Sequence, residues 1–319
     1  MLPLFDEPPD SGFDKRALAR KLQSLSGQGI HIGTSSWKYE GWLGQIYDRE
    51  RYITRGRFSQ KRFEQECLNE FAETFPIVCG DFTFYQFPSE QSWSKLFASA
   101  PRSLQYAFKV PEEITVKTFP QHPRYGARAN MDNPGFLNAD LFHAAFTQLL
   151  EPYRRQTAVL IFEFGAFSRR AMPDAESFAA VLDPFLAKLP PDFRYAVEIR
   201  NPDFLAPDYF AVLKQHNVAH VFNAWSKMPE LATQMSLKDS FTADFTVVRA
   251  LLRHGRVYDD AVDKFAPYEI IQDENPPARQ ALQSLIERAK AKKEPSFIFV
   301  NNRLEGNAPK TIEAVVSDE

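Results

Sequence analysis

The sequence predicts an α/β fold of the (β/α)8 TIM type, with an extra N-terminal helix and long loops at the C-terminal face. Three observations carry this. Eight short apolar runs recur, at 30–34, 77–82, 104–110, 157–164, 194–199, 218–224, 244–250 and 296–301. Helical patterns lie between most of them, as parallel strands require. The first run opens into "GTSSWKYEGWLG", which lacks the G-x-G-x-x-G turn that begins many doubly wound sheets. The open sheet also usually has fewer strands, so the closed barrel is favoured.

Taken in order, "MLPLFDEPPDSGFDK" is acidic and Pro-rich, without the basic start and apolar centre of a signal peptide. Residues 1–12 read as a flexible tail. In the segment that follows, Phe13, Ala17, Leu18, Leu22 and Leu25 recur at helical spacing, and Gly27 stops the helix. The organisation is therefore a tail and helix over 1–29 and one barrel over 30–319. Helical patterns follow at 59–75, 139–153, 174–189, 207–217, 276–292 and 307–316. Long loops follow the first, third and seventh strands, at the face where barrel active sites lie.

Composition narrows the function classes. Charged residues at 25% and hydrophobic residues at 44% suit a globular protein. A formal net charge of -3 disfavours sequence-independent nucleic-acid binding, which usually shows a basic domain. The two cysteines, Cys67 and Cys79, make no disulfide framework and fit a reducing, cytoplasmic setting. No apolar run approaches the roughly 20 residues that span a bilayer, so no membrane partner is expected.

Strand parity then selects candidate site residues, since alternate side chains share a face. Lys109 ends the third strand on the inward face. Glu163 does so in the fourth, Glu198 and Arg200 in the fifth, and Asn223 in the sixth. Strand seven ends with Arg249, and strand eight with Asn301 and Asn302. Such a ring either seals the barrel as a charge network or forms a site; buried charges are tolerated only when paired.

Several strand-end motifs, in order, resemble those of the YecE-like family of TIM barrels, domain of unknown function 72. They are "IGTSSWKYEGW", "TFYQFPSEQSW", "FKVPEEIT", "AVEIR", "VVR" and "FVNNRLEGNAP", spanning nearly all the chain after residue 29. The resemblance implies a (β/α)8 barrel and no established reaction. It carries over to Trp37, Tyr39, Trp42, Thr83, Phe84, Tyr85, Lys109, Glu198, Arg200, Arg249, Asn301 and Asn302. Against the family pattern, Cys79, Gly80 and Asp81 replace a Glu-Ile-Asn run, and Glu163 stands in a Gln-like place. Asn201 replaces a His and Asn223 an Asp, and His254 and Gly255 lie beyond the usual strand-seven His-Gly. These departures mark a divergent member.

The chemistry expected is that of a metal-independent hydrolase, lyase or isomerase acting on a small anionic or phosphorylated molecule. Lys109, Glu198 and Glu163 are the catalytic candidates, with Glu198 the preferred acid/base. Trp37, Tyr39, Tyr85, Arg200, Asn223, Arg249, Asn301 and Asn302 are the substrate-binding candidates. Arginine clamps carboxylate or phosphate through a planar fork. "EGNAP" offers either a helix N-terminus for an anion or an ordinary cap at Asn307. Neighbouring strands place Glu163 and Glu198 about 5 Å apart, which suits a glycosidase pair or a Glu–Arg–Lys network. The six histidines are scattered, so no metal is expected, and no cofactor is predicted. Cys79 reads as a buried inert thiol. Two alternatives stand: a binder of single-stranded or damaged nucleic acid, with Arg124, Arg128, Arg253 and Arg256 as a basic rim, and a non-catalytic barrel scaffold. No oligomeric state is assigned.

Overall fold

The computed structural model describes residues 12–317. The tail read at 1–12 therefore lies, except for Gly12, outside the described residues. Eight parallel strands close into a barrel. They are β1 (Ile30–Thr34), β2 (Ile77–Gly80), β3 (Gln105–Lys109), β4 (Thr157–Phe164), β5 (Tyr195–Ile199), β6 (Ala219–Ala224), β7 (Thr246–Ala250) and β8 (Ser296–Val300). Each pairs with its sequence neighbour, and β1 closes on β8 from Ile30↔Ser296 to Thr34↔Val300. The β1–β2 seam is the thinnest, with the single pair Thr34↔Val78. Gly33 sits there because a Cβ would fall 1.8 Å from the Ile77 carbonyl oxygen.

Strand alternation separates two cores. Inside the barrel lie Ile77, Cys79, Ala107, Ile161, Ala196, Val221, Val247, Phe297 and Phe299. Small Ala107 and Ala196 leave room for the two phenylalanines, so the interior is filled. The opposite faces, such as Tyr106, Phe108, Phe162, Val197 and Val248, pack against the helices.

The N-terminal helix α1 (Lys15–Gly27) is capped by Asp14, which accepts from the Ala17 N–H at 2.9 Å. Its Leu18, Leu22 and Leu25 join the outer core, and Lys21 Nζ donates to the Val316 carbonyl at 3.0 Å. It therefore braces the barrel. The pattern at 139–153 is not one helix. It runs Ala139–Phe142 as α, His143–Thr147 as a π turn, then Gln148–Leu150 and a 3-10 turn Glu151–Gln156. The wider winding keeps Phe142, Phe146 and Leu150 all inward. Pro152, lacking an N–H, ends the α winding.

The long loops fall where expected. The first carries a small antiparallel ribbon, Ile53–Thr54 with Arg57–Phe58. The seventh carries a helix, Tyr258–Phe265. Among the described residues no helix is long and apolar enough to cross a membrane.

Candidate functional site

The inward parity of β3, β4, β5 and β7 brings Lys109, Glu163, Glu198, Arg200 and Arg249 together at the C-terminal end of the barrel. Glu163 and Glu198 are register partners on adjacent strands. Arg249 is the hub. Its Nη1 lies 2.5 Å from both Glu163 Oε2 and Glu198 Oε2, and its Nη2 donates to Asp81 Oδ1 at 3.0 Å. Arg200 Nη2 lies 2.6 Å from Glu198 Oε1 and 3.2 Å from Glu163 Oε2. Lys109 Nζ lies 3.1 Å from the same Glu163 Oε2. One carboxylate oxygen is thus shared by three cations.

The charges balance: Lys109, Arg200 and Arg249 against Asp81, Glu163 and Glu198. Balance is what permits the burial. Arg249 is 1% and Glu198 0% exposed, and Lys109 and Arg200 are also buried. Solvent reaches the acids mainly at Glu163, whose side chain is 15% exposed, and at Asp81, at 35%. Burial alone would push the Glu163 carboxyl up. Lys109, Arg200 and Arg249 outweigh it and hold that carboxyl well below the usual range. Burial likewise disfavours the Arg249 cation, and Glu198, Asp81 and Glu163 more than restore it, raising its pKa well above the usual value. Among the described residues no three His, Cys, Asp or Glu side chains gather as a metal site.

Aromatic rings frame the cluster. Lys109 Nζ sits 3.9 Å over the Phe84 ring, and the Arg200 guanidinium 4.0 Å over Trp225. Trp225 meets Tyr258 at 6.2 Å, and Arg303 stacks on Tyr258 at 4.5 Å. Arg303 Nε is buried without a partner.

The remaining candidates are placed as follows. Asn223 stands beside the ion cluster but spends its amide on the Ile199 and Val221 carbonyls, at 3.2 and 3.3 Å. Asn301 Oδ1 accepts from the Arg303 N–H at 2.9 Å. Asn302 Oδ1 accepts from Trp42 Nε1 at 3.2 Å and from the Ala308 N–H at 2.8 Å. Both therefore shape the turn after β8. Trp37 is buried against Phe82. Tyr39 packs on Trp42 and Tyr268, and burial pushes its hydroxyl up to about 12, with Arg303 opposing. Tyr85 is exposed and reaches the cluster only through Phe84, 5.5 Å away. Thr83 Oγ1 donates to the Lys109 carbonyl at 2.5 Å and so ties the turn after β2 to β3.

Asn307 is an ordinary cap, accepting from the Lys310 N–H at 2.8 Å. Cys79 is buried inside the barrel, and burial pushes its thiol far up, with Arg249 opposing. The four rim arginines are each met by a carboxylate. Arg124 pairs with Glu112 and Arg128 with Glu113, while Arg253 and Arg256 share Asp273.

Asp81, Trp225, Tyr258 and Arg303 adjoin the ion cluster or the rings that frame it, and none of them was among the sequence candidates. The available signals were position: Trp225 directly follows β6, and Arg303 directly follows Asn301 and Asn302.

The profile of the family described as "Protein of unknown function DUF72" matches residues 31–318. The chain belongs to this family. Crystal structures of DUF72 proteins show the same fold. The one from Thermotoga maritima MSB8 is 17% identical, covers 91% of this chain and 98% of its own, and has a TM-score of 0.61. Two from Enterococcus faecalis V583 are 15% and 14% identical, each with a TM-score of 0.56. They cover 90% of this chain and 95% and 97% of their own. No curated protein matches the sequence significantly.

Proposed function

We propose that the barrel mouth of this DUF72 protein is the centre of a metal-independent enzyme of hydrolase, lyase or isomerase type. Its substrate is a small anionic or phosphorylated molecule. The observation that carries the reading is Glu163 Oε2, held at 2.5 to 3.2 Å by Arg249, Lys109 and Arg200 at the solvent-facing end of the cluster. Three cations aimed at one point form a place for an anionic oxygen, and Glu163 occupies it in the free protein. A substrate carboxylate or phosphoryl oxygen takes that place, with Lys109 and Arg200 as the clamp.

Displacement turns Glu163 from an ion-pair partner into a free carboxylate beside the bound anion. A carboxylate there can accept a proton from water, giving hydrolysis, or from substrate carbon, giving elimination or isomerisation. Glu198 is wholly buried. It acts through Arg200 and Arg249, which it holds in place. Phe84 and Trp225 supply flat apolar walls for the rest of the ligand.

The test is a screen of sugar phosphates and nucleotides in a chelating buffer, followed by phosphorus-31 NMR. Turnover by the wild type, lost in K109M and E163Q with circular dichroism unchanged, supports the proposal. Absence of turnover together with absence of phosphate binding overturns it. The balanced charge of the cluster favours one rival, a non-catalytic barrel sealed by ion pairs. That rival predicts no response to phosphate in any variant.

A further inference from the structure

We infer that a cavity of about 530 Å³ between the exits of β1 and β2 is a binding pocket for a small amphipathic anion, an apolar ring or branched chain carrying a carboxylate, phosphate or sulfonate. Its volume lies in the range of small-ligand pockets, about 300–1,000 Å³. The site is separate from the anion place at Glu163 and adjoins the cluster only through Asp81.

The apolar part is built by Trp37, Leu68, Phe82 and Leu96. Trp37 and Phe82 meet edge to face at 6.2 Å and 85°. Phe82 also meets Phe108 edge to face at 6.4 Å, and 42% of it is still exposed. A ring placed on it removes that surface from water, which is the driving force such pockets use.

The polar part calls for an anion. Lys38 and Lys95 line the cavity, and neither has a carboxylate partner among the described residues. Lys38 Nζ stands 5.8 Å from the Trp37 ring, which holds one ammonium beside the apolar wall. Of the two acids that face the same space, Asp81 is met by Arg249 at 3.0 Å, while Glu64 accepts only from the neutral Gln60 amide at 3.0 Å and keeps its charge. Two ammonium groups therefore face one carboxylate that no cation meets, and the balance left in the cavity is positive.

Asp81 gives the pocket a link to the barrel centre. Its side chain both lines the cavity and holds Arg249. A ligand in the cavity therefore sits against a group that orients the hub of the ion cluster.

The experiment titrates the full chain with 8-anilinonaphthalene-1-sulfonate and, separately, with the uncharged N-phenyl-1-naphthylamine, reading dye fluorescence. The sulfonate dye is expected to bind saturably, one per chain, and more tightly than the neutral dye. K38E/K95E should weaken it by about tenfold. S92W, from the exposed face of the helix Glu90–Ala98, should fill the cavity and abolish binding. Thermal melts matching the wild type would show that both variants fold; if S92W does not, S99W serves in its place. Phosphate binding at the mouth should persist in S92W, so failure of the pocket and failure of the mouth are told apart. Dye binding unchanged in S92W or in K38E/K95E, or no saturable binding, would overturn the inference. Equal affinity for both dyes would overturn its anion part.

Discussion

Replacing Arg249 by Met tests how the barrel tolerates its buried charges. The substitution keeps an unbranched side chain and removes the guanidinium. In the wild type three cations face three carboxylates. Without Arg249 two cations face three carboxylates, and Glu198, 0% exposed, loses the partner at its Oε2. Removing one member of a buried pair costs about 3–5 kcal/mol, because an uncompensated charge stays buried. R249M should lose about that much, read as a lower urea midpoint at unchanged slope. E198Q in the same background restores the charge balance. R249M/E198Q should therefore be more stable than the sum of the single changes predicts, by about 1–3 kcal/mol. A loss below about 1 kcal/mol in R249M, or additivity within about 0.5 kcal/mol, would refute the hub role of Arg249.

Other expectations follow from the same geometry. Burial lowers the His220 imidazole to about 3 from the usual 6.5, so the unfolded chain binds more protons between those values. Stability should fall as pH drops through that window, and proton NMR should show His220 still neutral at pH 5. Glu163 acts in the same direction lower down: its contribution is full above the ordinary carboxyl value, near 4.3, and is lost as pH falls through its depressed folded value. E163Q should flatten the acid limb of the urea midpoint against pH. G33A should fail to fold or melt far below the wild type, since its Cβ would meet the Ile77 carbonyl oxygen at 1.8 Å; a wild-type melt would contradict the seam. Cys67 and Cys79 are buried, and burial pushes both thiols up, Cys67 to about 12. Ellman's reagent should react slowly with native protein and titrate two thiols in urea.

Much of the fold was legible because it rests on short-range periodicity. Eight apolar runs became eight strands, and the period of two put Lys109, Glu163, Glu198 and Arg249 on one face. What escaped depends on contacts between distant segments. The second run, read to Phe82, ends as a strand at Gly80, and the turn Asp81–Phe84 carries Asp81 to Arg249. Local pattern does not announce that turn. Asn301 and Asn302 obey strand-end position, yet the backbone N–H groups of their own turn and the Trp42 indole claim them. The rim arginines look free in sequence because their partners, Glu112, Glu113 and Asp273, lie elsewhere in the long loops. The break within 139–153 comes from packing two phenylalanine rings and a leucine, Phe142, Phe146 and Leu150, onto one face, which overrides the helical pattern.

The most direct measurement of the central claim is a high-resolution crystal structure grown in phosphate. The account predicts a phosphate bound by Lys109 and Arg200, with the Glu163 carboxylate moved out of the place it holds in the free protein. Lys109, Arg200 and Arg249 all still converging on Glu163 at saturating phosphate, with no anion within hydrogen-bond reach of Lys109, would contradict it.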